Sequence, residues 1–298
     1  MRTLCLGEAL VDMISERHVA SLTEADAFTP HFGGATANVC VACARHGGRA
    51  ALGGGAGDDP WGRWLHERLA AEGVDLTWFE LVAGAETPLA FVSVDAGGEP
   101  DYTIYASSIG RTLTAPGERL LDAVEEVGGL FFSSNNLVGE AERTLTLAVR
   151  ERALQRGRAV VFDPNLRLGR WASEAEAVRW ANACVPGALL VRSNREEARL
   201  MTGEEDPERA ARALLGAGAR TVIVTLGAEG ALLRGEAQAD APGVAVSDVV
   251  STVGAGDAFL GVLLARLGRH AFDPAALPEA LPEAVRVGAE AVRRWGAV

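Results

Sequence analysis

Apolar positions along this chain repeat with two different periods. Short runs rich in Val, Leu, Ile and Phe, bounded by Gly, Pro or Asp, read as strands over Leu4–Ile14, Thr87–Val94, Pro100–Ala106, Leu130–Ser133, Ala159–Asp163, Leu189–Arg192, Thr221–Thr225 and Val244–Val250. Longer stretches with helical spacing lie over Val39–His46, Trp61–Glu72, Leu120–Val127, Glu140–Arg156, Ala258–Ala265 and Pro282–Trp295. From Leu120 on, helix and strand alternate. That rhythm predicts a parallel sheet with helices on both faces, with ligands bound beyond the C-terminal strand ends. The runs on either side of Asp95-Ala96-Gly97-Gly98-Glu99 form a predicted hairpin, which has little core of its own and must pack on something else.

The pattern is most informative at Ser251-Thr252-Val253-Gly254-Ala255-Gly256-Asp257-Ala258-Phe259. Here a predicted strand enters a turn of small residues that opens directly into an apolar helix. Unpaired amides and the positive end of the helix dipole make such a start an anion site. Asp257 is out of place there, because its carboxylate repels what the backbone attracts. It reads either as a helix cap or as a general base for a hydroxyl attacking a bound phosphoryl group.

Other polar clusters also interrupt the apolar pattern. Glu8 and Asp12 sit inside a strand run, where carboxylates need partners or a site. Gly33 and Gly34 precede a helix, with Asn38 following: a glycine turn, or a backbone surface and an amide for a polyol. Asp163-Pro164-Asn165-Leu166-Arg167 reads as a Pro turn or as a ligand group at a strand end. Asn194 and Glu197 fit a capped, acidic helix start.

Composition narrows the chemistry. A net charge of −12 argues against a general nucleic-acid binder. No apolar run is long enough for a membrane span, and Met1–Gly7 reads as the first strand of a cytoplasmic protein. All 28 basic residues are Arg. Without lysine there is no Walker A loop, protein-kinase lysine or Schiff base. The four cysteines form no disulfide or zinc framework, Cys40 and Cys43 reading as small core residues, and the five His show no metal-ligand spacing.

Taken in order, these motifs resemble those of the ribokinase-like, PfkB-type carbohydrate kinases, most closely the bacterial fructokinases. The likeness runs over about residues 4 to 260: Gly7-Glu8-Ala9-Leu10-Val11-Asp12, Gly33-Gly34-Ala35-Thr36-Ala37-Asn38, Gly53–Gly62, Asp163–Arg167, Asn194–Glu197, Thr225–Gly230 and Gly254–Phe259. It implies a single three-layer α/β/α domain over 1–298, with a central mostly parallel sheet and a small β-strand lid from segments near 10–32 and 87–108. It implies that Asp12, Gly33, Gly34, Asn38, Tyr105 and Arg167 hold a small sugar. ATP would lie over Asn194, Thr225, Gly227, Gly230, Gly254 and Gly256, with Mg²⁺ held through water by Asn194 and Glu197. Asp257 would be the base and Gly254, Ala255 and Gly256 the anion hole. A homodimer through the lid is also implied.

Fructose is the expected sugar. In the resemblance, 2-keto-3-deoxygluconate kinases place an Arg soon after the lid tyrosine, whereas Tyr105 is followed by Ala106-Ser107-Ser108, with the next Arg at 111. The chain departs from the family at Ser251, where an Asp usually helps bind a monovalent cation, and at Val253, often Thr. Asp248, placed on a strand, would lie about 10 Å from that position. These departures leave a non-catalytic sugar- or nucleotide-binding regulator as the alternative of another class.

Overall fold

A computed structural model describes residues 1–298. In chain order the first elements are strands β1 (Arg2–Leu6), β2 (Leu10–His18) and β3 (Thr29–Gly33), then helix α1 (Ala35–Arg45), β4 (Arg49–Gly57), α2 (Pro60–Ala71) and β5 (Asp75–Val82). The hairpin β6 (Leu89–Val94) and β7 (Pro100–Tyr105) follows, then α3 (Ile109–Thr114), α4 (Arg119–Glu126), β8 (Gly129–Ser133), α5 (Glu140–Gln155) and β9 (Ala159–Asp163). Next come α6 (Glu174–Ala183), β10 (Leu190–Asn194), α7 (Arg195–Thr202), α8 (Pro207–Gly216) and β11 (Thr221–Thr225). The chain ends with β12 (Gly230–Gly235), β13 (Ala239–Pro242), α9 (Ala255–Arg269) and α10 (Leu277–Ala291).

Nine strands form one sheet in the order β13-β12-β11-β10-β9-β8-β1-β4-β5. From β5 to β11 every neighbouring pair is parallel, and β12 and β13 add an antiparallel edge. Successive side chains on a strand face opposite ways, which divides the core in two. Cys5, Phe131, Val161 and Ile223 join one cluster with α1, α9 and α10. Leu4, Leu6, Phe132, Phe162 and Val222 join the other with helices α4–α8. The three layers and the mostly parallel sheet expected from the sequence are therefore present. The chain enters mid-sheet at β1, builds outward through β4 and β5, and returns to β8 on the other side. Ligand crevices form at such a reversal, beyond the C-terminal strand ends.

A second sheet of four strands, β3-β2-β6-β7, stands over those ends. Its inner face (Leu10, Ile14, Ala90, Val92, Val94, with Tyr102 and Ile104) packs on Val253, Trp295 and Ala297. The hairpin tip reaches the segment leading into α9, where the Thr252 amide donates to the Gly98 carbonyl at 2.8 Å.

α1 and α9 approach closely where Gly261 faces Ala42. A Cβ built on Gly261 would collide with Ala42 and come within 2.8 Å of the Cys43 amide nitrogen.

The structure corrects four sequence readings. The run Leu4–Ile14 is two strands in different sheets, broken at Gly7-Glu8-Ala9. Val244–Val250 forms no strand. β13 stops at Pro242, and the following amides pair singly: Val250 and Ser251 donate to the Val292 carbonyl at 2.7 and 3.1 Å. α1 begins at Ala35, which puts Asn38 within its first turns. The last helix begins at Leu277, so Pro282 lies inside it; Pro278, in the first turn, is the proline at the helix start.

Candidate active site

Where β1, β8, β9 and β10 end beneath the small sheet, the chain encloses a cleft of about 480 Å³. Asp12, Gly34, Asn38, Arg167, Asn194, Glu197, Gly254, Gly256 and Asp257 all line it. Residues up to 245 positions apart thus share one cavity, as the sequence reading expects. Gly33 lies just behind, packed so closely on the Asp12 carboxylate that a side chain there would collide with it. Thr225 stands opposite Asn194 in the β10–β11 register. Gly227 and Gly230 lie beyond, in the turn into β12, outside the cavity.

Gly254 precedes α9 at φ 73° and carries no capping side chain. A Cβ there would be strained and would collide with Ala297. The first amides of α9, from Ala255, have no intrahelical acceptor, and the cleft opens at Gly254 and Gly256. Asp257, in the first helical turn, does not cap it. Its Oδ2 accepts a 2.9 Å hydrogen bond from Asn38 Nδ2 across the interface with α1. Burial pushes Asp257 up to about 6, Asp163 adding to the shift and the Asn38 bond, Arg167 and Arg192 opposing it. Burial, with help from Asp257 and Glu8 and against Arg167, pushes Asp12 up to about 7. The cleft thus holds carboxyls that exchange protons near neutral pH, as general acid–base chemistry requires.

Around Asp257 the lining suits a polyhydroxyl ligand. Asn38 Oδ1 and Asn135 Oδ1 are buried acceptors without partners. Glu8 is held by Thr36 Oγ1 at 3.2 Å and Asn135 Nδ2 at 3.3 Å. Hydroxyl donors would satisfy the two orphaned carbonyls.

Tyr105 does not face the cleft. It is 63% exposed on the outer face of the small sheet, stacked edge-on against Phe91. Side chains alternate along β7, so Tyr102 and Ile104 point inward and Tyr105 outward. Tyr102 supplies the aromatic wall, with the Arg167 guanidinium 5.9 Å from its ring centre. The polar–apolar alternation Asp101-Tyr102-Thr103-Ile104 carried this signal. Asn135, Arg170 and Arg192 also line the cleft and were not singled out from the sequence. Ser133-Ser134-Asn135-Asn136, a polar run closing an apolar strand, pointed to the first. An Arg inside the buried strand Leu189–Ser193 pointed to the last.

The Asn194–Glu197 pair forms a reciprocal cap. Glu197 N donates to Asn194 Oδ1 at 2.8 Å, and Glu197 Oε2 accepts from Asn194 N at 2.9 Å. Glu197 Oε1 accepts from Leu166 N at 3.0 Å. No three His, Cys, Asp or Glu side chains converge as a metal site. Each Glu197 oxygen accepts one backbone hydrogen bond and keeps lone-pair capacity that a metal-bound water could use.

Known proteins resemble this chain in sequence and in fold. The chain is 33% identical to a probable fructokinase-4 of Arabidopsis thaliana, over 98% of this chain and 91% of that one. It is 34% identical to an aminoimidazole riboside kinase of Salmonella typhimurium, over 98% and 89%. A PfkB protein of Polaromonas superposes with a TM-score of 0.84 at 29% identity, covering 98% of this chain and 95% of that one. A Vibrio cholerae fructokinase double mutant, solved with fructose, ADP and a potassium ion, superposes at 0.83 and 30% identity, over 99% and 93%. The sequence profile of the pfkB family carbohydrate kinases matches residues 2–298. With the fold, the cleft and a full-length match in agreement, the chain belongs to the pfkB family of carbohydrate kinases.

Proposed function

We propose that this protein transfers the γ-phosphoryl group of ATP to a primary hydroxyl of fructose. The observation that carries this reading is Asp257: a carboxyl titrating near neutral pH, fixed by Asn38 at the uncapped start of α9. The sugar lies between Asp12, Asn38, Tyr102 and Arg167, its hydroxyls donating to the orphaned Asn38 and Asn135 carbonyls. Asp257 takes the proton from the attacking hydroxyl, and the amides at Gly254–Gly256 receive the transferring group. ATP extends toward Asn194, Thr225, Gly227 and Gly230. Asn194 and Glu197 would hold Mg²⁺ through water, where it would supply neutralisation of phosphate charge. The small sheet acts as a lid that excludes water.

Fructose is favoured over an acidic sugar because Arg111, the next Arg after the hairpin, is turned away. It donates to the Ala83 and Gly84 carbonyls at 2.8 Å. Arg170, beside Arg167 in the cleft, supports a second reading, 2-keto-3-deoxygluconate, whose carboxylate the two guanidinium groups suit. ADP formation with fructose, 2-keto-3-deoxygluconate, ribose and aminoimidazole riboside decides between them. The highest kcat/KM should belong to fructose; a higher value for the keto-acid replaces the sugar but keeps the kinase. No sugar-dependent ADP formation means a binding regulator. Phe28, Phe91 and Tyr105, edge to face on the outer side of the lid, support pairing of two copies there. Sedimentation of Tyr105→Asp should then show a weakened dimer; a monomeric native protein would discard the pairing.

A further inference from the structure

Arg192, a buried cation in the cleft, has no part in this scheme. Arg192 is in β10 and only 9% exposed. Its Nη1 donates to Asp163 Oδ2 and its Nη2 to Thr225 Oγ1, both at 2.9 Å. Its Nε is buried without a partner. The guanidinium carbon lies 5.7 Å from the Phe259 ring centre in α9. A Cβ built on Gly256 would meet both terminal nitrogens at 2.8 Å, so the guanidinium rests directly against the turn that opens the helix. Arg167, by contrast, is exposed to solvent.

We propose that Arg192 is a positioning residue for phosphoryl transfer, bracing the Gly254–Gly256 turn from behind and presenting a fixed positive charge at the phosphoryl end of the cleft. The proposal rests on the kinase reading above. Burying a guanidinium is costly unless it is paired, and Asp163 provides the pairing. A charge shielded from water acts more strongly on a developing anion than one at the surface. Since every basic residue of the chain is Arg, no lysine can supply that charge.

The rival explanation is a brace only, in which Arg192 does no more than neutralise Asp163. The two are separated by removing one charge and then both, in the full-length protein assayed for ATP-dependent sugar phosphorylation. Arg192→Met should lower kcat by roughly 10²–10³, the loss expected for one stabilising donor, with the sugar KM changed less than about threefold. Arg192→Lys keeps the charge and should retain kcat within about tenfold. In Arg192→Met/Asp163→Asn the buried carboxylate is also gone, so the thermal midpoint should recover toward wild type while kcat stays low. Should Arg192→Met fail to fold, the double variant and Arg192→Lys still decide. Recovery of kcat in the double variant, or wild-type kcat in Arg192→Met, overturns the proposal. Absence of sugar phosphorylation by the wild-type protein overturns the kinase reading instead.

Discussion

Replacing Asp257 by Asn should move activity and stability in opposite directions. Asn keeps the shape and an acceptor for the 2.9 Å bond from Asn38 but removes the proton acceptor. Turnover should fall by roughly 10²–10⁴, the usual contribution of a positioned base. Stability should rise. Burial lifts the carboxyl from 3.8 to about 6, so the fold is penalised for holding it ionised. A rise of about two units at 1.36 kcal/mol each sets a ceiling of ~3 kcal/mol. Because the folded value is the higher one, the penalty is complete above pH 6–7 and disappears below about pH 4, where both states are protonated. Thermal melts of the two proteins from pH 4 to pH 8 test this. The Asn variant should melt several degrees higher at pH 8, at about 2–4 °C per kcal/mol, and the gap should close toward pH 4. In the wild type, kcat/KM should decline as pH falls through 6–7, where Asp257 and Asp12 take up protons. Near wild-type turnover in Asp257→Asn refutes the base. An unchanged melting temperature at pH 8 refutes the buried charge.

Two further outcomes follow from the lid and the turn. Tyr102→Ala should raise the sugar KM tenfold or more, through loss of the aromatic wall and the Arg167 contact, while Tyr105→Ala should leave kcat/KM within about twofold; steady-state kinetics on both variants checks the assignment. K⁺ should activate little. Ser251 is fully buried and its hydroxyl accepts from the Val253 amide at 3.2 Å, while Asp248, off any strand, is turned to Arg293 at 2.9 Å. A severalfold, saturable rise in turnover when K⁺ replaces a bulky organic cation at constant ionic strength would count against this.

The sequence was most legible where one periodicity ran unbroken. β8, β9 and β11 keep the predicted positions because Leu130–Ser133, Ala159–Asp163 and Thr221–Thr225 have unbroken apolar interiors and polar residues only at their ends. Val244–Val250 has the same look but no neighbouring strand to pair with, and pairing is a tertiary property. Tyr105 was placed by its likeness to a lid, and alternation along β7 hands that role to Tyr102. Glu8, left open between structure and site, lines the cleft only because β8 brings Asn135 beside it, 127 positions away. Arg192 was hidden for a related reason: a strand's end reveals its function only once the neighbouring strand and the α9 turn are in place.

The close contact between α1 and α9 has a consequence for how the site can change. Ala42 lies four residues beyond Asn38 and Gly261 four beyond Asp257, so the contact sits one turn, about 6 Å, below the bonded pair. With a glycine against an alanine there, the spacing between Asn38 and Asp257 is set by the close approach of the two helices. Gly261 therefore works as a fulcrum. A methyl group added at that buried point would pry the helix starts apart and part Asn38 from Asp257 without altering any atom in the cleft. Substrate range and rate in such a protein can be retuned from behind the active site, by the smallest residues in the chain.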